Sequence, residues 1–300
     1  MFAKRSMRLA LVLVAVLALA VTITAVDDVG ASSAGVRKGQ SVYYLDVGAS
    51  VSVGVQPTPL VPQGQPTNEG YANLLVKLAR ATGVTLHVAK IGCPGESTLT
   101  LITGHDPCYR TVDNQLSDAV AYLQIHHSSD VLVTIDLGFN DVVKCLRNVT
   151  VNAVCVRRQM GRLQRRLPTI LKSLTLATGP NATLIGVGHY NPFLATAVTD
   201  AKNTKFAHAS EAVIAQLNSV LKAAYAKYSI PMADVAGSFR TNATTLIKSS
   251  TFGLIPTNVA TICASTWMCT PPPYGPNLHP NDAGYRLIAR SIMAVMPVSL

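Results

Sequence analysis

Past residue 40 the chain alternates apolar runs with segments of helical period. Residues 42–47 are aromatic, branched or apolar almost throughout, the composition of a buried strand, and the run breaks at Gly48-Ala49-Ser50. Leu74, Leu75, Leu78 and Ala79 recur at helical spacing, predicting a helix with Thr67 or Asn68 as its cap, Glu69 in its first turn and Gly83 at its end. Residues 84–89, 131–137, 183–188 and 230–235 read as four further strands. Residues 113–127, a basic segment around 157–172, 207–228 and 281–296 read as helices, the second closed by Thr178-Gly179-Pro180-Asn181. Residues 236–275 carry no clear period and read as irregular. Strands alternating with helices predict a parallel sheet covered on both faces. The expected fold is one α/β domain over 41–300, a three-layer α/β/α sandwich of flavodoxin-like type around about five parallel strands.

The N-terminus follows a different pattern. Lys4, Arg5 and Arg8 precede an 18-residue, mostly apolar run at 9–26, which Asp27 and Asp28 close. This is the layout of a signal peptide, and the run is also just long enough for an uncleaved membrane anchor. Residues 27–40 are small and polar and read as a flexible segment. The expected location is secreted or extracellular. Hydrophobic residues make up 49% and charged residues 13%, enough for a large core and too apolar for disorder.

The six cysteines, at 93, 108, 145, 155, 263 and 269, fit export. They allow many pairings; their grouping into three local couples favours Cys93–Cys108, Cys145–Cys155 and Cys263–Cys269. No Cys-x-x-Cys or His-x-x-x-His spacing suggests zinc, so no metal and no cofactor are expected. Of the net charge of +10, much lies in the basic helix, where Arg158, Arg162, Arg165 and Arg166 share one face. That face reads as solvated, with contact to an anionic envelope surface as the functional alternative. Nucleic acid is not an expected partner, because the chain has no binding module and few interleaved aromatics. A monomer is expected.

Candidate chemistry gathers where strands end. Ser50 follows the first strand, a glycine-rich CPGEST follows the second, GFND the third, and NLHPNDAGY opens the last helix. Ester hydrolysis needs a nucleophile, a base that cycles its proton, and donors aimed at the developing oxyanion. Ser50 is the candidate nucleophile and His279 the candidate base. The backbone N–H groups of Ser50 and Gly95 and the side-chain amide of Asn140 are the candidate donors. His189, in GHYNPF after the fourth strand, is expected to be structural, with lining of the pocket as the alternative. A Gly-x-Ser-x-Gly elbow is excluded by Ser52 at the second glycine position.

Together VGAS at 47–50, CPGEST at 93–98, GFND at 138–141 and NLHPNDAGY at 277–285 resemble the SGNH, or GDSL-type, hydrolase superfamily, and most of all its secreted bacterial members. The resemblance implies a serine esterase or lipase working through an acyl-enzyme on a small-molecule, lipid or glycan ester. It assigns nucleophile, oxyanion and base roles to Ser50, Gly95, Asn140 and His279. Gly95 is preferred to Gly92 because the family's glycine precedes an acidic-Ser/Thr pair, here Glu96-Ser97. Two departures stand out: Ala49 replaces the family's Asp beside the serine, and Pro276 stands where it commonly has an Asp three residues before the histidine. A Ser–His dyad is therefore expected, with a backbone carbonyl from Pro276 or its neighbours holding the imidazole tautomer. The alternatives are an acyltransferase or deacetylase acting on envelope glycans, or a catalytically weak binding module on the same fold.

Overall fold

The computed structural model describes residues 39–109 and 113–297. The apolar run at 9–26 and its predicted role lie outside the described residues. In chain order the elements are β1 (Ser41–Gly48), α1 (Tyr71–Ala81), β2 (Thr85–Lys90), α2 (Thr98–Thr103), α3 (Gln115–Ile125) and β3 (Val131–Asp136). The single turn α4 (Phe139–Val142), the long α5 (Ala153–Ala177) and β4 (Ala182–Val187) follow. Next come the one-turn α6 (Thr196–Thr199), α7 (Thr204–Ala226), β5 (Met232–Ala233) and the one-turn α8 (Val235–Ser238). A hairpin, β6 (Leu246–Ser249) and β7 (Gly253–Pro256), precedes α9 (Thr257–Ser265) and α10 (Asp282–Met293).

The first five strands form one parallel sheet in the order β2-β1-β3-β4-β5. Strand alternation sorts the core into two layers. Leu45, Val47, Val133 and Ile135 pack with α3, α5 and α7, whereas Val42, Tyr44, Leu132 and Ile185 pack with α1, α9 and α10. The order of strand addition reverses between β1 and β3, and a crevice opens there beyond the carboxyl ends of the strands.

The predicted α/β/α sandwich is observed, with local differences that have physical causes. Helix α1 starts at Gly70 rather than at Thr67 or Asn68. The backbones of Gly54 and Gly70 pack so closely that a Cβ on Gly70 would lie 2.5 Å from the Gly54 Cα. Thr67 Oγ1 instead accepts from the Glu69 N–H. The buried stripe of α1 is Tyr71, Ala72, Leu75 and Ala79, leaving Leu78 on the surface. Strand β5 shrinks to two residues because Asp234 ends it by accepting from the Gly237 N–H and starting α8. The region read as irregular contains the β6–β7 hairpin and α9. Each hairpin strand is only four residues long and mostly exposed, so no alternation marks it. Helix α2 carries no apolar period to mark it, because TLTLIT is rich in threonine; a Ser97–Thr100 capping box starts it. On α5, Arg158, Arg162 and Arg165 are exposed as expected, but Arg166 turns inward to Asp141 at 3.6 Å.

All three local cysteine couples are disulfides, Cys93–Cys108, Cys145–Cys155 and Cys263–Cys269. Among the described residues no helix is long and apolar enough to cross a membrane.

Candidate active site

Ser50, Gly95, Asn140 and His279 line one cavity of about 330 Å³ at the β1/β3 crevice. Four chain segments far apart in sequence supply them, and each is fixed by its own hydrogen bonds.

Ser50 stands two residues beyond β1, in a turn closed by the Val55 N–H donating to the Ser50 carbonyl (2.9 Å). Gln115 clamps the approach. Its Oε1 accepts from the Gly48 N–H (2.7 Å), and its Nε2 donates to the Gly48 carbonyl (3.0 Å) and to Glu96 Oε2 (2.9 Å). Ser52, the residue that rules out the elbow motif, is buried and donates to the Ala49 carbonyl.

The loop after β2 carries Gly95 at φ +89°, a conformation that favours glycine, with open space where a Cβ would stand. Gly92 is not among the cavity's lining residues. It serves close packing, since a Cβ there would meet Ser52 Oγ at 2.1 Å. Asn140 Nδ2 donates one hydrogen to the Glu96 carbonyl (2.9 Å), joining the second loop to the third and leaving its other hydrogen uncommitted to that bond. Next to it, Asp141 is buried and accepts from the Thr98 N–H (2.9 Å) and hydroxyl (2.6 Å). Glu96 is buried as well, accepts from the Thr100 hydroxyl, and has its carboxyl pushed up to about 7 by desolvation.

His279 precedes α10. Its Nδ1 lies 2.7 Å from Asn277 Oδ1, which also accepts from the His279 backbone N–H (3.0 Å). The amide's other end is committed, because Asn277 Nδ2 donates to the Pro62 carbonyl (2.9 Å). That contact fixes which end of the amide meets the ring, so Nδ1 carries the proton and Nε2 is the unprotonated nitrogen. The expected orienting group, a backbone carbonyl from Pro276 or its neighbours, is thus replaced by a side-chain amide one residue further on. The Tyr190 hydroxyl donates to the Leu278 carbonyl (2.7 Å) and secures the same segment. Desolvation holds His279 down at about 4, neutral at ordinary pH.

A model of the GDSL-like lipase/acylhydrolase family matches residues 47–287, most of the chain. The protein belongs to this family. Among solved structures it resembles the extracellular lipase from Streptomyces rimosus at 19% identity and TM-score 0.56, covering 85% of this chain and 100% of that one. It also resembles a phospholipase A1 from Streptomyces albidoflavus (18%, TM-score 0.52, covering 84% and 98%). An acetyl xylan esterase variant from Geobacillus stearothermophilus is similar too (15%, TM-score 0.53, covering 88% and 98%). A search of curated proteins finds no match.

In this GDSL-like protein the acceptor behind the imidazole is Asn277, which stands in the NLHPNDAGY motif with no role read from the sequence, although a side-chain acceptor two residues before the histidine is a readable alternative to the missing Asp. Asp136, which the sequence does not single out, lines the cavity, and so does His189, as the alternative to a structural role has it. Loops 55–68, 142–155 and 189–195 wall the cavity through Val55, Gln63, Gly64, Val143, His189 and Tyr190. None of the lining residues comes from 236–275. Asp46, on β1, is buried and accepts from the Tyr71 and Thr134 hydroxyls, which makes it part of the packing beneath the site.

Proposed function

We propose that this protein is a cofactor-free serine esterase that hydrolyses small carboxylic esters through an acyl-enzyme on Ser50. His279 takes the serine proton through Nε2, hands it to the departing alcohol and then activates water. Asn140 and the amides of Gly95 and Ser50 receive the developing oxyanion. Asn277 acts as the positioning residue, holding the imidazole tautomer as a neutral acceptor, with less stabilisation of the imidazolium than a carboxylate would give. The observation that carries this reading is the convergence of Ser50, Gly95, Asn140 and His279 on one cavity, with His279 Nδ1 tied back to Asn277. Family membership supports ester hydrolysis in general; the subtype and the roles rest on the convergence.

Export is part of the proposal. It is supported by the apolar N-terminal run and by three disulfides, which persist in oxidising compartments. The deciding experiment is hydrolysis of a short acyl ester by the wild type and by Ser50→Ala, together with labelling by a fluorophosphonate. Hydrolysis and Ser50 labelling in the wild type, both lost in a folded Ser50→Ala, are the expected result. Undiminished turnover in that variant overturns the assignment.

A further inference from the structure

The cavity has a wall that the proposed chemistry leaves idle. Asp136 is the last residue of β3, and strand alternation points it to the same sheet face as Leu132 and Thr134. It is 3% exposed, and its Oδ2 is buried with no protein donor among the described residues. The nearest basic group is His189, whose Nδ1 lies 3.7 Å from Asp136 Oδ1, too far for the two to satisfy each other.

His189 cannot swing or change tautomer to help. Its Nε2 lies 2.8 Å from the Leu137 carbonyl, to which it donates. Its backbone is held on both sides by Asn218, which accepts from the His189 N–H and donates to the His189 carbonyl (2.8 Å each). Nδ1 is therefore a lone-pair acceptor. Two acceptors, Asp136 and His189 Nδ1, lie side by side on a cavity that also presents Val51, Phe139, Val143 and Leu278. Leaving a buried carboxyl without a donor costs folding free energy, so a site of this kind is completed by what enters it.

We propose that Asp136, with His189 beside it, is the specificity-determining acceptor of the cavity and selects esters that carry a free hydroxyl near the scissile bond. The inference rests on the hydrolase reading above. Two substrate chemistries supply such a donor, a hydroxylated acyl chain or a polyol alcohol part. A site that bonds a substrate hydroxyl discriminates strongly against the analogue lacking it, because the buried acceptor is then left bare.

The test compares kcat/KM within two matched pairs. p-Nitrophenyl 3-hydroxybutyrate against p-nitrophenyl butyrate reads the acyl side, and glycerol monobutyrate against ethyl butyrate reads the alcohol side. At pH 8, where most of the Asp136 carboxyl is ionised, the wild type should prefer the hydroxylated member of one pair by roughly tenfold to a hundredfold, the worth of a hydrogen bond to a charged group. In Asp136→Leu, which removes the acceptor, that preference should fall to about twofold or less; Asp136→Asn reads the same ratio should the leucine variant not fold, and should lose most of it. Absence of preference in both wild-type pairs overturns the inference, as does a preference that survives in a folded variant. Wild-type hydrolysis of the plain butyrates and phosphonate labelling of Ser50 separate this failure from failure of the hydrolase reading, which would abolish both.

Discussion

Asp136 and Asp141 flank one short turn and are equally hidden from solvent, yet they are treated in opposite ways. Asp141 receives a backbone N–H and a hydroxyl from Thr98 and has Arg166 at 3.6 Å. Asp136 receives no donor among the described residues, and its Oδ1 faces an imidazole nitrogen 3.7 Å away that carries no proton. The first fastens the turn that delivers Asn140 to the cavity. The second stands at the cavity wall with an oxygen to spare, and desolvation alone pushes its carboxyl up to about 7. Burial by itself does not distinguish a structural acid from a functional one; the count of donors around it does.

The largest expected effect belongs to what Asp141 fastens. Asn140→Ala should lower kcat for a short acyl ester by about a hundredfold to a thousandfold, the usual cost of one lost oxyanion donor, with little change in melting temperature. Asp141→Ala should combine the two effects. Removing one partner from a buried, hydrogen-bonded charge leaves the Thr98 donors bare, so stability measured by urea unfolding should drop by about 2–3 kcal/mol. Turnover should fall as well, because the turn no longer aims Asn140. An Asp141→Ala variant of wild-type stability would erase the contrast between the two aspartates.

A smaller effect is expected at the imidazole. Asn277→Ala removes the acceptor at Nδ1 and should lower kcat/KM by about tenfold to a hundredfold. Asn277→Asp places a negative charge there and should raise the histidine pKa, which burial now holds at about 4. The acid limb of the pH–kcat/KM profile should therefore sit near pH 4 in the wild type and move upward in Asn277→Asp. A limb that stays in place would mean that another group controls it.

How much of this was legible in the sequence depends on whether a feature is local. The first four strands of the sheet are apolar runs that lead into glycine-containing turns, and period and composition mark them without reference to anything distant. Ser50, Gly95, Asn140 and His279 were readable because each sits in a short motif at the end of an element. The disulfides were readable because each pair closes a short loop. What stayed hidden depends on contacts between distant segments. Gln115 belongs to a helix start that looks ordinary in sequence, yet it bonds a backbone 67 residues away. Asn277 resembles a loop residue until the Pro62 carbonyl fixes its amide. Helix α1 begins late because Gly54 and Gly70 touch, a constraint that no window around residue 68 contains. Asp136 looked like the polar end of a strand, since sequence reveals neither its burial nor its missing donors.

The least dramatic expectation separates the two aspartates through pH. A carboxyl whose folded pKa is raised keeps a proton that the unfolded chain has already released. Its stabilising contribution is therefore complete below about pH 4 and is lost as pH climbs through the folded pKa. Asp136 and Glu96 near 7, and Asp46 near 8, should together make the folded state less stable from pH 5 to pH 8 or so. His189 and His279, both held near 4 by burial, act in the other direction. They stay neutral where the unfolded chain would protonate, so their contribution is full above about pH 6.5 and lost as pH falls toward 4. Between pH 4 and 6.5 the two groups oppose each other, and above 6.5 the acids act alone. Asp136→Asn removes one of the three titrating acids and should reduce the loss of stability between pH 6.5 and 8 by about a quarter, because Asp46 titrates higher and supplies about half of it, read as denaturation midpoints in urea at each pH. An unchanged slope would mean that Asp136 already finds a donor in the folded protein, and the difference between it and Asp141 would narrow to one of partner identity.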